Sequence, residues 1–282
     1  MQKTIKVNNK EINKIGIGTW MMGGGWSSEY SIAYADYDHE DEEIKAIRYS
    51  IEKGQNHIDT AQMYGAGHCE EVVGKAIKGL NRENLFIASK IFKANTKKSA
   101  VLHSTEDTLR KLQIDYLDLI YIHSPNNPFP MEEYMAGLSN VVDKGLAKGL
   151  AVSNFNLEQL KKAQSLSKHP ILANQMLYNI IERSDVTEEM VEYCVSNNIL
   201  LVAYRPVERK LLADNCEISL VLDLAKKYNK TPAQIALNWL VSKPNVVAIP
   251  KATSPAHIEE NLQSSAFDME TSDIKLLDGY KK

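Results

Sequence analysis

Asp59, Tyr64, Lys90 and His123 are the residues of this chain whose types fit acid–base chemistry, provided that a fold brings them together. A phenol is a poor acid at neutral pH, with an ordinary pKa of about 10. A lysine ammonium beside it would stabilise the phenolate and lower that value toward neutrality. An aspartate beside the lysine would keep the amine charged and in place, and a histidine could hydrogen-bond and orient a substrate oxygen. Such a set suits protonation of a carbonyl oxygen while another agent attacks its carbon. No side chain is an evident nucleophile, and no His/Cys/carboxylate spacing reads as a metal site, so no metal is expected. Gly23-Gly24-Gly25 is a loop signal rather than a dinucleotide fingerprint, because no helix opens directly after it. The attacking agent is therefore expected from a cofactor, and hydride is the natural choice.

The elements that must position these residues follow one alternation. Short β-branched runs at 15–19, 57–59, 85–90, 117–123, 150–153, 171–175, 200–204 and 246–250 read as strands. Between and after them, helix-period runs fall at 42–53, 70–80, 100–112, 131–144, 157–167, 187–197, 220–228 with 232–241, and 255–262. In the first helix Ile44, Ile47 and Ile51 share a face. The strands are mostly continuous apolar runs, as expected of a parallel sheet covered on both faces. Eight even units without a break point to a class α/β fold, a single (β/α)8 TIM barrel, with residues 1–282 as one domain. Ahead of it, residues 5–12 read as an N-terminal β-hairpin turning at Asn8-Asn9 and able to plug the barrel's bottom. The excursion 21–41 reads as a long loop above the first strand.

In a barrel of this kind the active site is built at the carboxyl ends of the strands. Those ends carry Asp59, Lys90, His123, Ser153-Asn154, Asn174-Gln175, Tyr204-Arg205 and Pro250-Lys251, with Tyr64 five residues beyond Asp59. Singly, each could be a polar group satisfying loop backbone. Together on one rim they make an acid–base cluster with perturbed pKa values expected.

The remaining composition excludes several classes. In 282 residues, 33 Lys and Arg balance 36 Asp and Glu, for a net charge of −3. That gives no reason to expect a nucleic-acid or anionic-membrane partner. No apolar run reaches the roughly 18 residues of a membrane span, and the opening MQKTIKVNNK has no apolar signal core, so a cytoplasmic location is expected. Cys69, Cys194 and Cys216 are scattered, suggesting neither a disulfide framework nor a zinc site.

Five motifs in order resemble those of the aldo-keto reductase superfamily, across essentially the whole chain. Asp59-Thr60-Ala61-Gln62-Met63-Tyr64-Gly65 is similar to DTAxxYG. Tyr116-Leu117-Asp118-Leu119 with His123-Ser124-Pro125 is similar to YLDLxxxHxP. Residues 145–155, ending Val152-Ser153-Asn154-Phe155, are similar to GKxKxxGVSNF, with Ala151 where glycine is usual. Asn174-Gln175-Met176-Leu177-Tyr178-Asn179 resembles NQxxYN, and Ile249-Pro250-Lys251 with Glu260-Asn261 resembles the final motif, IPKxxxxxxxxEN.

The resemblance implies a barrel that uses NADPH, with NADH also possible, to reduce an aldehyde, ketone or sugar-like carbonyl. It implies Asp59, Tyr64, Lys90 and His123 as the catalytic tetrad, with Tyr64 as the acid. It also implies Ser153, Asn154 and Gln175 as anchors of the nicotinamide carboxamide and Tyr204 as the ring stacked on the nicotinamide. Thr19, Trp20 and Asp59 join that cofactor set, as do Pro206 and Leu211 beyond strand seven and Glu260 and Asn261 in the final motif.

Two departures stand out. Ala252 and His257 occupy positions where the family often has Ser and Arg gripping a 2′-phosphate. Lys251, Thr253, Ser254 and a protonated His257 could still bind that group. Arg205 stands where a small residue is usual; with Arg209 and Lys210 it forms a basic group, either a solvated loop or a contact with pyrophosphate or an anionic substrate.

Substrate-pocket candidates on the rim are Trp20, Met21, Trp26, Phe92, Asn126 and Phe129, beside Tyr64 and His123. Two other readings use the same fold. One is a non-catalytic, cofactor-binding regulatory subunit. The other is a lyase forming a Schiff base at Lys90, which needs a neutral amine that Asp59 opposes.

Overall fold

The computed structural model describes residues 2–27, 32–208 and 218–280. β1 (Thr4–Val7) and β2 (Lys10–Asn13) form the expected hairpin, with Asn8 and Asn9 at φ 46° and 67° in its turn. Val7 and Ile12 pack against Phe86, Leu119 and Leu200 inside the barrel, so the hairpin plugs its floor.

After β3 (Ile17–Gly18) the chain makes a second antiparallel hairpin, β4 (Gly24–Ser27) with β5 (Ile32–Ala35), and then α1 (Glu40–Glu52). The alternation follows with β6 (His57–Asp59), α2 (His68–Ile77), β7 (Phe86–Ile91), α3 (Lys98–Leu112), β8 (Leu119–Ile122) and α4 (Met131–Asp143). It continues through β9 (Leu150–Ser153), α5 (Leu157–Leu166), β10 (Ile171–Leu177), α6 (Glu188–Ser196) and β11 (Leu200–Tyr204). It ends with α7 (Ser219–Tyr228), α8 (Pro232–Val241), β12 (Val246–Ala248), α9 (Pro255–Gln263) and α10 (Thr271–Gly279).

Among the described residues the main sheet has eight strands in the order β3-β6-β7-β8-β9-β10-β11-β12, all paired in parallel. It closes on itself where Ile15 bridges Ala248 and where Gly16 N and Gly18 N donate to Ala248 O and Pro250 O at 2.8 and 3.1 Å. The seam needs glycine: a Cβ on Gly18 would lie 2.3 Å from Ile249 O. Alternate strand residues, among them Phe86, Ala88, Tyr121, Ala151, Val202 and Val247, fill the barrel interior, while the other face packs on the helices. This is the (β/α)8 barrel that the eight strand–helix runs predict.

The helices start where sequence chemistry dictates. Asn156 with Gln159 and Thr231 with Gln234 form capping boxes at α5 and α8, and Pro232 takes the first turn of α8. Two elements lie outside the sequence reading. The excursion 21–41, expected as a loop, holds the β4–β5 hairpin; its first strand is glycine-rich and lacks the β-branched signal of a strand. α10 follows the last predicted helix, with Leu277 buried and Ile274 packed on the core.

Candidate active site

Asp59 ends β6, Lys90 lies near the end of β7, and His123 follows β8 directly. Tyr64 opens a short 3-10 turn, Tyr64–Gly67, that sits against the β4–β5 hairpin. Gly65 makes that approach possible: its φ is 53°, and a Cβ there would meet Gly23 O at 2.3 Å. The fold thus brings the four predicted acid–base residues to one rim.

Lys90 is fully buried, and its Nζ donates to Asp59 Oδ1 at 2.5 Å, Thr60 O at 2.9 Å and Tyr64 Oη at 3.2 Å. Gln175 Nε2 donates to the other carboxylate oxygen, Asp59 Oδ2, at 2.8 Å. Burial alone would lower the Lys90 ammonium, but Asp59 and Tyr64 outweigh it and hold the amine above the usual lysine range. That is the opposite of what a Schiff-base amine needs. Since the ammonium donates to the Tyr64 oxygen, the phenol keeps its own O–H to donate.

The acidity of Tyr64 differs from the sequence expectation. Burial pushes the phenol up to about 12, with Asp59 adding to the rise and Lys90 pulling against it. The neighbouring ammonium is present as predicted, but the ring's desolvation and the nearby carboxylate outweigh it. His123 is driven the other way: burial lowers it to about 3 and Lys90 lowers it further, so the imidazole is neutral. Its Nδ1 is buried without a hydrogen-bond partner, and its ring meets that of Tyr64 edge-on at 5.9 Å.

Asp59, Tyr64 and His123 floor a cavity of about 860 Å³, with Lys90 buried behind them. From the tetrad it passes Ser153, Asn154 and Gln175, then Tyr204, Arg205 and Pro206, and reaches Lys251, His257, Glu260 and Asn261. Thr19 and Trp20 line it beside Tyr64, with the Trp20 and Tyr64 ring centroids 4.8 Å apart. Tyr204 Oη donates to Asn154 Oδ1 at 2.9 Å, and Asn154 Nδ2 donates to Ser153 Oγ at 3.1 Å, so the polar groups on this wall fix one another. Sequence reasoning missed Gly18, Met63, Val207 and Ala233 as wall residues. Apolar or glycine residues at such positions carry no chemical signature to find them by.

Other candidates lie away from this wall. Thr253 and Ser254 are outside it, and the Ser254 hydroxyl is used as the N-cap of α9, accepting from His257 N at 3.3 Å. Met21, Trp26, Phe92, Asn126 and Phe129 do not line it either; Met21 and Trp26 are exposed on the excursion above β3. Arg209, Lys210 and Leu211 lie outside the described residues, as does Cys216, while Cys69 and Cys194 are buried free thiols. Among the described residues, no three His, Cys, Asp or Glu are grouped to hold a metal, and no helix is long and apolar enough to cross a membrane.

Residues 14–282 match the aldo/keto reductase family. Methylglyoxal reductase YeaE of Escherichia coli (strain K12) is 30% identical over 267 residues, which cover 94% of this chain and 89% of that protein. The thermostable aldo-keto reductase Tm1743, crystallised with the inhibitor epalrestat, is 39% identical and superposes with a TM-score of 0.91 over 98% of each chain. An aldo-keto reductase from Klebsiella pneumoniae in complex with NADPH is 29% identical, with a TM-score of 0.86 over 99% of this chain and 94% of that one. With its barrel, its rim of acid–base residues and these relatives, the chain belongs to the aldo/keto reductase family and is an oxidoreductase.

Proposed function

We propose that this protein reduces small aldehydes, ketones or sugar-like carbonyls at the expense of NADPH, with Tyr64 as the proton donor. The observation that carries the reading is the contact of a buried, charged Lys90 with the Tyr64 oxygen at the floor of the cavity. Its volume lies within the range of ligand pockets, toward the upper end, and its polar wall runs from the tetrad to the start of α9, which suits an elongated dinucleotide. His123 lines the tetrad end of the cavity. A bound reduced nicotinamide supplies hydride to the carbonyl carbon.

The chain's own residues divide the remaining work. Ser153, Asn154 and Gln175 would hold the carboxamide; with Gln175 Nε2 committed to Asp59, its oxygen is the group left to accept. Tyr204, its hydroxyl tied to Asn154, would present its ring to the nicotinamide. Lys251 and His257, beside the N-terminus of α9, would meet the cofactor's phosphate, with Arg205 and Pro206 along the way. Neutral His123 would orient the carbonyl oxygen. As negative charge gathers on that oxygen, Tyr64 passes it a proton, and Lys90 stabilises the phenolate left behind. Asp59 keeps Lys90 charged and in place. We take residues 1–282 as one barrel domain carrying all these parts.

The test is consumption of NADPH and of NADH with a panel of aldehydes, ketones and sugars, methylglyoxal included, with the alcohol product identified. Turnover with NADPH is expected. Tight cofactor binding without turnover on any member of the panel would instead favour the non-catalytic subunit.

A further inference from the structure

The last residue of the NQxxYN-like motif has no part in the chemistry above, yet it occupies a demanding position. Asn179 is fully buried just beyond β10. Its Oδ1 accepts from Ile181 N and Glu182 N at 2.8 and 2.7 Å, and its own N–H donates to Glu182 O at 3.0 Å, closing a tight local turn. Its Nδ2 reaches across to the next strand–helix loop and donates to Arg205 O at 3.0 Å.

Arg205, the first residue after β11, has φ 46°. A side chain with a Cβ disfavours that left-handed region, and a residue preceding proline, here Pro206, is ordinarily driven to extended backbone. The arginine side chain is mostly exposed and pairs with Glu208 at 3.0 Å. Tyr204, Arg205, Pro206 and Val207 all line the cavity, whereas Asn179 does not. The direction of the chain through this wall therefore depends on a strained residue whose carbonyl is held from behind.

We infer that Asn179 is a positioning residue for cofactor binding: its amide locks the left-handed turn at Arg205 and so preorganises the Tyr204–Val207 wall. This rests on the reading that the cavity takes a nicotinamide dinucleotide. A locked wall does not have to be ordered when the ligand arrives, so loss of the lock appears mainly as faster dissociation.

The decisive variant is Asn179→Asp, which keeps the acceptor for Ile181 and Glu182 but removes the donor to Arg205. NADPH affinity and dissociation rate would be measured by fluorescence for the wild type and for Asn179→Asp, each also in Arg205→Ala and Arg205→Gly backgrounds. Loss of one hydrogen bond predicts roughly five- to tenfold weaker NADPH binding, with kcat at saturating cofactor not lowered. The same loss is expected beside Arg205→Ala, which keeps a Cβ. Beside Arg205→Gly it should shrink to less than about twofold, because glycine adopts positive φ without strain.

Wild-type affinity in Asn179→Asp, or an equal loss in all three backgrounds, would overturn the inference. Should Asn179→Asp fold only with Arg205→Gly, and there bind NADPH as Arg205→Gly alone does, the inference stands; failure to fold in both overturns it. A wild-type protein that binds neither NADPH nor NADH would overturn the cofactor reading itself, and this inference with it.

Discussion

Replacing Lys90 by methionine keeps most of the side chain's bulk and removes the ammonium from between Asp59 and Tyr64. The position has no exposure, so solvent cannot substitute for the lost charge. Removing one partner of a buried ion pair is destabilising by about 3–5 kcal/mol. Asp59 retains the bond from Gln175 Nε2 at 2.8 Å, which places this case at the lower end, about 3 kcal/mol. In a protein of this size that lowers Tm by roughly 6–12 °C. Activity should fall as well, by about 10²–10⁴, because the phenol loses the cation that stabilises its conjugate base.

A fall in both quantities does not separate stability from catalysis, and the second substitution does. Adding Asp59→Asn to Lys90→Met leaves no unpaired charge in the barrel, so most of the lost stability should return, read by thermal or urea unfolding. Turnover of NADPH with an unactivated aldehyde should not return, because no ammonium faces Tyr64 in either variant. A double variant that regained both stability and turnover would show that Lys90 serves the fold alone, and the proposed division of labour at the tetrad would be wrong.

Tyr64→Phe should fold and bind NADPH as the wild type does but lose about 10²–10⁴ in carbonyl reduction; near-wild-type turnover would remove Tyr64 from the acid role. Lys251→Ala should weaken NADPH about tenfold while changing NADH little, measured by fluorescence titration of both cofactors, because a charge-assisted contact with the phosphate is lost. Lys14 offers a test of stability against pH. Its Nζ is buried against Val241 O and Lys243 O, at 2.9 and 2.6 Å, and burial, with Lys3 adding, lowers it to about 8. Between that value and the ordinary lysine value of about 10.4 the unfolded chain binds more protons, so wild-type stability should rise with pH across this window relative to Lys14→Met. Urea unfolding at pH 7.5, 8.5 and 9.5 that showed a constant difference between the two proteins would refute it.

The barrel was legible because its signal is redundant. Each parallel strand is buried on both faces, so the sequence carries a continuous apolar run, and the polar residue that ends the run marks the rim. Asp59, Lys90 and His123 are found this way, and Tyr64 by its distance from Asp59. The β4–β5 hairpin escaped because Gly24 fits a close approach to the Tyr34 and Ala35 backbone and Gly25 leaves room for the Tyr34 ring, needs that strand propensity does not signal. Ser254 shows a different limit. A serine ahead of Pro255 is chemically fit both for binding an anion and for capping a helix, and only the hydrogen bond from His257 N shows which use its hydroxyl has. Arg205 stands out in the sequence by its charge, while its positive φ and the hydrogen bond its carbonyl accepts from Asn179 have no signature in residue type.

The raised value of Tyr64 bears on where the neighbouring ammonium acts. A phenol held near 12 is fully protonated at neutral pH, which a proton donor requires, but it is a weaker acid than the sequence alone suggested. In the proposed reaction the acceptor it would serve is no ordinary base. An alkoxide forming at the carbonyl is more basic than a phenolate, so the proton moves downhill once charge has gathered there. The resting acidity of Tyr64 is then less important than the fate of its conjugate base, which appears beside Lys90 Nζ, 3.2 Å from the phenol oxygen and itself kept charged by Asp59. An interaction that strengthens only as the phenolate forms lowers the barrier without tightening the ground state. On this account Lys90 and Asp59 work on the transition state, and the burial that raises the resting pKa also raises the worth of that charge contact by excluding water.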